Sequence, residues 1–234
     1  MKPLFKCALP VRRGHRLEGK AALVTGIGSG IGRARACLFA AQGAQVIGCD
    51  IDSQSAKQKG EDARSLGLSM ESLHPCHLTQ PADTARLVRL SREQHGGFDA
   101  LVNAAAFGAF AWLQQMNYET QWRCTLTGEL DIVFSLCKAA WPVLIARGGG
   151  SVINFASANA SVALDGSPAL AHCAGKWGVL AMTRQLAMEG GPHGIGMNSI
   201  SPALVETSAT RAHMQTDPAF VTSALHKMMI RRIG

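Results

Sequence analysis

Eight residues, Thr25-Gly26-Ile27-Gly28-Ser29-Gly30-Ile31-Gly32, constrain this chain more than any other stretch. They follow an apolar run, Ala21-Ala22-Leu23-Val24, that reads as a buried strand. They precede Arg33-Ala34-Arg35-Ala36-Cys37-Leu38-Phe39-Ala40, which reads as a helix. A strand, a glycine turn and a helix in that order make a site for a pyrophosphate. The first helical turn has backbone N–H groups without partners, and the aligned peptide dipoles place about half a positive charge there. Glycine lets the backbone approach the phosphates, because no Cβ stands in the way. Asp50 closes the next apolar run, Ala44-Gln45-Val46-Ile47-Gly48-Cys49, about 20 residues on, where a dinucleotide site places an acid for the ribose hydroxyls.

The rest of the chain repeats the alternation. Strands are expected at Leu23–Thr25, Val46–Asp50, Ser69–Leu73, Phe98–Asn103, Ser151–Ala156 and Gly196–Ile200. Helices are expected over 31–42, 53–66, 81–95 (opened by Pro81), a long stretch from a cap at Asn117 to Ala146, and 168–189. Beyond Val205 the chain reads as helical, with Pro218 opening a last segment. This order predicts an α/β fold: a doubly wound parallel sheet, Rossmann-like, with ligands at the carboxyl ends of the strands. Thr25, Asp50, Asn103, Ser157 and Pro202 all fall at or just after strand ends, and are expected to face a ligand.

With 234 residues and no linker or repeat, one domain is expected over 17–234, behind a basic tail at 1–16. The formal charge of +7 sits largely at the two ends, so the body is close to neutral and nucleic acid is not an expected partner. No apolar run is long enough to cross a bilayer. Seven scattered cysteines without a CxxC pair point to free thiols in a reducing, cytoplasmic setting, and no metal-ligand spacing appears.

From about Leu17 to Gly234 the chain resembles the short-chain dehydrogenase/reductase family. The glycine turn matches the family's TGxxxGxG, and Leu101-Val102-Asn103-Ala104-Ala105-Ala106 resembles its NNAG strand end with only the first Asn kept. Ser151–Ser157 resembles the strand carrying the catalytic serine, Lys176-Trp177-Gly178-Val179 the stretch opening with the family's lysine, and Gly194–Pro202 the strand that follows. The resemblance implies hydride transfer between a nicotinamide cofactor and an alcohol or carbonyl. It implies cofactor contacts from Gly26, Ser29, Gly30, Ile31, Gly32, Asp50, Ile51, His77, Leu78, Asn103, Ala104, Lys176, Pro202 and Thr207, and catalysis by Ser157, His172 and Lys176. Family members pair through the long middle helix and the 168–189 helix, so a homodimer or homotetramer is expected.

The departures bear on mechanism. The family's tyrosine position is His172, and Tyr118, the single tyrosine, lies elsewhere. The asparagine of the proton relay is Thr125, the acid before the adenine contact is His77, and Ala203 stands where a Gly follows the proline. The chain ends at Ile233-Gly234, where the family continues through another helix and strand, so a sheet lacking that last strand is expected. A histidine ordinarily titrates near 6.5 and a tyrosine near 10. It therefore needs less tuning to exchange protons at neutral pH, but its reach is about two ångström shorter, a gap that a water can bridge.

Asp50 accepts hydrogen bonds from ribose hydroxyls and repels a 2′-phosphate, and Ser29 stands where an Arg or Lys would pair with one, so NAD(H) is expected over NADP(H). Three readings stay open at this point. One is an NAD-dependent oxidoreductase with a rearranged proton relay, acting on a largely apolar alcohol, carbonyl or imine. The second is a protein of the same fold that binds NAD(H) or a ligand without turnover. The third is a shortened, nonfunctional product.

Overall fold

The computed structural model describes residues 13–234. Six parallel strands form one sheet in the order β3-β2-β1-β4-β5-β6: β1 Ala21–Thr25, β2 Gln45–Cys49, β3 Met70–Leu73, β4 Ala100–Asn103, β5 Gly150–Phe155 and β6 Ile195–Ile200. Each expected strand is present, with ends within two residues of the sequence reading. The order reverses between β1 and β4, which opens the crevice where such sheets take ligands.

Alternation along the strands builds two cores. Leu23, Ile47, Leu101 and Val152 point to one face, where they meet Leu87 and Val88 of α3 (Pro81–His95), Leu136 and Leu144 of the middle helix, and Val179. Ala22, Val24, Val46 and Val102 point to the other, against Ala36 and Ala40 of α1 (Gly30–Ala41) and Ala56 and Ala63 of α2 (Ser53–Ser65). Both faces of the sheet are thus covered, as an all-parallel sheet requires. Among the described residues no helix is long and apolar enough to cross a membrane.

The middle helical stretch, 118–146, opens where the Asn117 side chain accepts from the N–H groups of Glu119 and Thr120. Its first turns are not plain α-helix. Tyr118–Arg123 and Thr127–Asp131 are π-helical, and a regular α-helix follows over Ile132–Ala146 with Pro142 inside it. The helix Leu170–Gly190 lies beside it, and Ser208–Thr216 and Pro218–His226 complete the fold. Most of the basic tail, residues 1–12, lies outside the described residues. Gly14 and Leu17 donate to the carbonyls of Ala41 and Gln42 at the end of α1, so the domain's packing begins three residues before the expected boundary.

Candidate active site

The glycine turn is shaped by close approach. Gly26 has φ +72°, and a Cβ on it would lie 3.0 Å from Ala105 Cα. A Cβ on Gly32 would lie 2.3 Å from the Gly26 carbonyl oxygen, so only glycine lets α1 start this close to β1. Ser29 caps α1 with extended backbone and no side-chain hydrogen bond, which leaves the first N–H groups of the helix for an anion. Asp50 is locked to the same turn: Oδ2 accepts Gly28 N–H at 2.8 Å and Oδ1 accepts Asp52 N–H at 2.9 Å. Each carboxylate oxygen keeps a lone pair for a hydroxyl. The turn fits a dinucleotide: a Cβ at Gly26, Gly28 or Gly32 would collide with Ala105, Asp50 or the Gly26 carbonyl, so only glycines hold the backbone, the Asp50 carboxylate and the start of α1 this close together.

Two strand-end residues expected to face a ligand are turned inward, and the sequence reading is corrected there. Thr25 is buried; its Oγ1 accepts from Ala104 and Ala105 N–H at 3.0 and 2.9 Å, tying β1 to the end of β4. Asn103 is also buried. Its Nδ2 donates to Asn154 Oδ1 at 2.7 Å, and Asn154 Nδ2 donates to Thr183 Oγ1 at 2.9 Å. Buried amides must find partners, and these residues find them within the fold. The Asn103 side chain is therefore committed to the core. Leu78 likewise packs into the core beside Cys76 and Leu87, while Ile51 and His77 are exposed near Asp50.

A cavity of about 460 Å³ opens beside the turn. It brings together Ile31, Ala104, Ser157, His172, Lys176, Pro202 and Thr207 from the expected set. Its remaining wall is mostly apolar, with Phe110, Val162, Leu164 and Phe220. Ser157 Oγ accepts from Asn159 N–H at 3.2 Å. Lys176 is buried, donates from Nζ to the Phe155 carbonyl at 3.1 Å, and sits one helical turn after His172. Burial lowers its pKa from the ordinary lysine value, while the nearby Glu129 carboxylate works in the opposite direction.

His172 has a partner that the sequence did not announce. Its Nδ1 lies 2.7 Å from Glu129 Oε1. Glu129 is buried, and its other oxygen, Oε2, has no hydrogen-bond partner among the described residues. It lies in the second π-helical segment of the middle stretch. Nothing in Thr127-Gly128-Glu129-Leu130-Asp131 marks that turn, and an acid on a helix usually faces water. Thr125, at the relay asparagine's position, makes a two-way clamp instead: Oγ1 accepts from Ala109 N–H at 2.9 Å and donates to Ala109 C=O at 3.0 Å. Tyr118 is exposed and does not line the cavity.

A family model described as enoyl-(acyl carrier protein) reductase matches residues 26–234. D-threitol dehydrogenase of Mycolicibacterium smegmatis is 34% identical over 197 residues, 82% of this chain and 72% of that protein. The chain is a member of the short-chain dehydrogenase/reductase family. NAD-dependent glycerol dehydrogenase of Listeria innocua is 32% identical over 193 residues, 82% of this chain and 72% of its own length. A solved 7α-hydroxysteroid dehydrogenase, complexed with NADH and 7-oxo glycochenodeoxycholic acid, superposes with a TM-score of 0.87 at 26% identity, covering 94% of this chain and 84% of that one. This family member is therefore an oxidoreductase by fold and kinship, with nicotinamide-linked hydride transfer as its class of chemistry.

Proposed function

We propose that this short-chain dehydrogenase/reductase is NAD(H)-dependent and acts on a small, largely apolar alcohol, carbonyl or imine, with His172 in the proton-transfer position. The observation that carries the reading is the shared cavity: Ser157, His172 and Lys176 open onto the same space as Ile31 and Thr207, next to the glycine turn. When bound, NAD(H) supplies or accepts the hydride.

The chain's residues do the rest. The first N–H groups of α1 hold the pyrophosphate, and Asp50 takes the adenosine ribose hydroxyls and repels a 2′-phosphate. Lys176 spends one N–H on Phe155 and keeps two for the nicotinamide ribose. Ser157 Oγ already accepts a bond from Asn159, which leaves its hydroxyl proton free to donate to the substrate oxygen. His172 gives or takes the proton, directly or through one water. The apolar wall excludes water and selects substrates with little polar surface.

NADH absorbance followed across a panel of carbonyls and imines tests the reading, with His172→Tyr beside the parent. Turnover by the parent supports it, and NADPH binding as tightly as NADH overturns the cofactor assignment. The His172–Glu129 bond also suits a second reading, in which it is only a tie between two helices and the protein binds NAD(H) without turnover. Tight NADH binding with no turnover on any substrate would leave that reading standing. Exposed Phe134, Trp177 and Met188 on the two long helices fit association into a dimer or tetramer. The free thiols of Cys49, Cys76, Cys124, Cys137 and Cys173 fit a reducing, cytoplasmic setting.

A further inference from the structure

The buried carboxylate facing His172 lies outside the set Ser157, His172 and Lys176. We propose that Glu129 is the positioning residue for His172: it fixes the neutral ring as the Nδ1–H tautomer and leaves Nε2 as the nitrogen that exchanges protons at the cavity. Its part in turnover rests on the oxidoreductase reading above; its effect on the ring does not.

Three features of the fold support the assignment. The first is the bond itself. At 2.7 Å, the Nδ1–Oε1 distance is in the range of charge-assisted hydrogen bonds, and the other carboxylate oxygen, Oε2, has no hydrogen-bond partner among the described residues. The second is the space made for the carboxylate. Gly175 faces it from the Leu170–Gly190 helix, and a Cβ there would lie 3.3 Å from Oε2. The π-helical turn Thr127–Asp131 presents Glu129, and the Gly128 carbonyl in that turn accepts Phe107 N–H at 3.2 Å. The third is an aromatic neighbour, Phe110, whose ring packs on that of His172 at 5.6 Å between centroids. A ring held at Nδ1 and against one face has little freedom to flip.

The charged and titratable neighbours are few. Glu129 comes from the middle helix, and Cys173 and Lys176 from the ring's own helix. Lys227 lines the far wall of the cavity, 3.5 Å from Asp165. Of the two acids in this set, Glu129 is the one bonded to the ring. The Nδ1–H group faces Oε1 whether or not Nε2 carries a proton. In reduction, the Nε2–H bond breaks and its electron pair stays on the nitrogen. The proton joins the substrate oxygen as the carbonyl carbon receives the hydride from NADH, and solvent then reprotonates the ring. In alcohol oxidation, neutral Nε2 takes the hydroxyl proton as the hydride leaves for NAD⁺. Glu129 accepts from Nδ1–H in both directions.

The test is ¹⁵N NMR of the full chain labelled at histidine, with the His172 signals identified by their loss in His172→Asn. The expected neutral species is Nδ1–H, and in Glu129→Gln the fraction of neutral ring in that tautomer falls. NADH binding to that variant stays within about twofold of the parent, because the nucleotide cradle is untouched, while kcat falls about 100-fold or more as the tautomer is lost. Glu129→Asp, which keeps the carboxylate at shorter reach, recovers part of the Nδ1–H fraction. An Nε2–H tautomer in the parent overturns the proposal, and that measurement needs no variant to fold. An unchanged tautomer ratio in Glu129→Gln overturns it equally. If the ring behaves as expected but no substrate turns over, the oxidoreductase reading fails and the positioning role stands.

Discussion

The nucleotide side and the substrate side of this crevice are built by different means. On the side proposed for the nucleotide, from β1 through Asp50, the surface offers main-chain N–H groups, one carboxylate, and glycines where side chains would collide. On the side proposed for the substrate, the polar groups belong to side chains: Ser157, His172 with Glu129, Lys176 and the Thr125 clamp. Backbone geometry admits few substitutes, because a Cβ 2.3 Å from a carbonyl oxygen has nowhere to go. A proton carrier can be exchanged for another if its partner changes too. That contrast explains how the glycine turn matches its family while a histidine stands where the family has tyrosine.

The sharpest way to break the comparison is Gly32→Val. The added side chain pushes α1 from β1, overpacking by about 1–3 kcal/mol. Losing two N–H bonds to a charged phosphate, each worth about 1.5–3 kcal/mol, weakens NADH binding by about 100-fold or more in calorimetry. A normal affinity would show that the turn is not the cradle. Asp50→Asn comes next. NADH binding should weaken by about 10- to 100-fold, and NADPH should gain on it, since the repelling charge is gone. An unchanged ratio of the two affinities would remove Asp50 from cofactor choice.

Thr125→Val acts on the other side alone. It strips Ala109 of both hydrogen bonds, so thermal unfolding should show a loss of about 1–2 kcal/mol, and substrate KM should rise with NADH affinity intact. The smallest effect lies at the opposite end of the sheet. Burial opposes the charged form of Asp99, but the Ala21 N–H bond and Arg147 outweigh it and hold the carboxyl below the usual aspartate range. The unfolded chain therefore takes up this proton first as pH falls, and the stabilisation, about 1 kcal/mol, is present above about pH 4 and lost below it. Urea midpoints for the parent and Asp99→Asn should differ at neutral pH and converge near pH 3, without a change in NADH affinity at neutral pH.

The fold was legible wherever local chemistry announces itself. Pro81 opens α3 and Asn117 caps the middle stretch, both as their residue types dictate. Short apolar runs located the strands, and the glycines located the turn. The misses came from long-range partners. Thr25 and Asn103 stand at strand ends, as ligand-facing residues do, yet each is bound across the sheet by residues about 50 to 80 positions away. Glu129 gave no sign, because its role depends on a π-helical turn and on a ring 43 residues distant. Partnership across the fold has no periodicity to read.

The relay of amides from Asn103 through Asn154 to Thr183 has a consequence for the machinery above it. Sliding β5 by one residue against β4 would strand dry amide groups, at a cost far beyond that of shifting one aliphatic contact. The pairing of these strands is thereby chosen by chemistry as well as by shape. Thr183 lies seven residues beyond Lys176, two turns along the same helix. The height of the lysine above the sheet is in effect measured from β4, so a redesign that greases these three positions would leave the helix free to drift and the ammonium group without a fixed address.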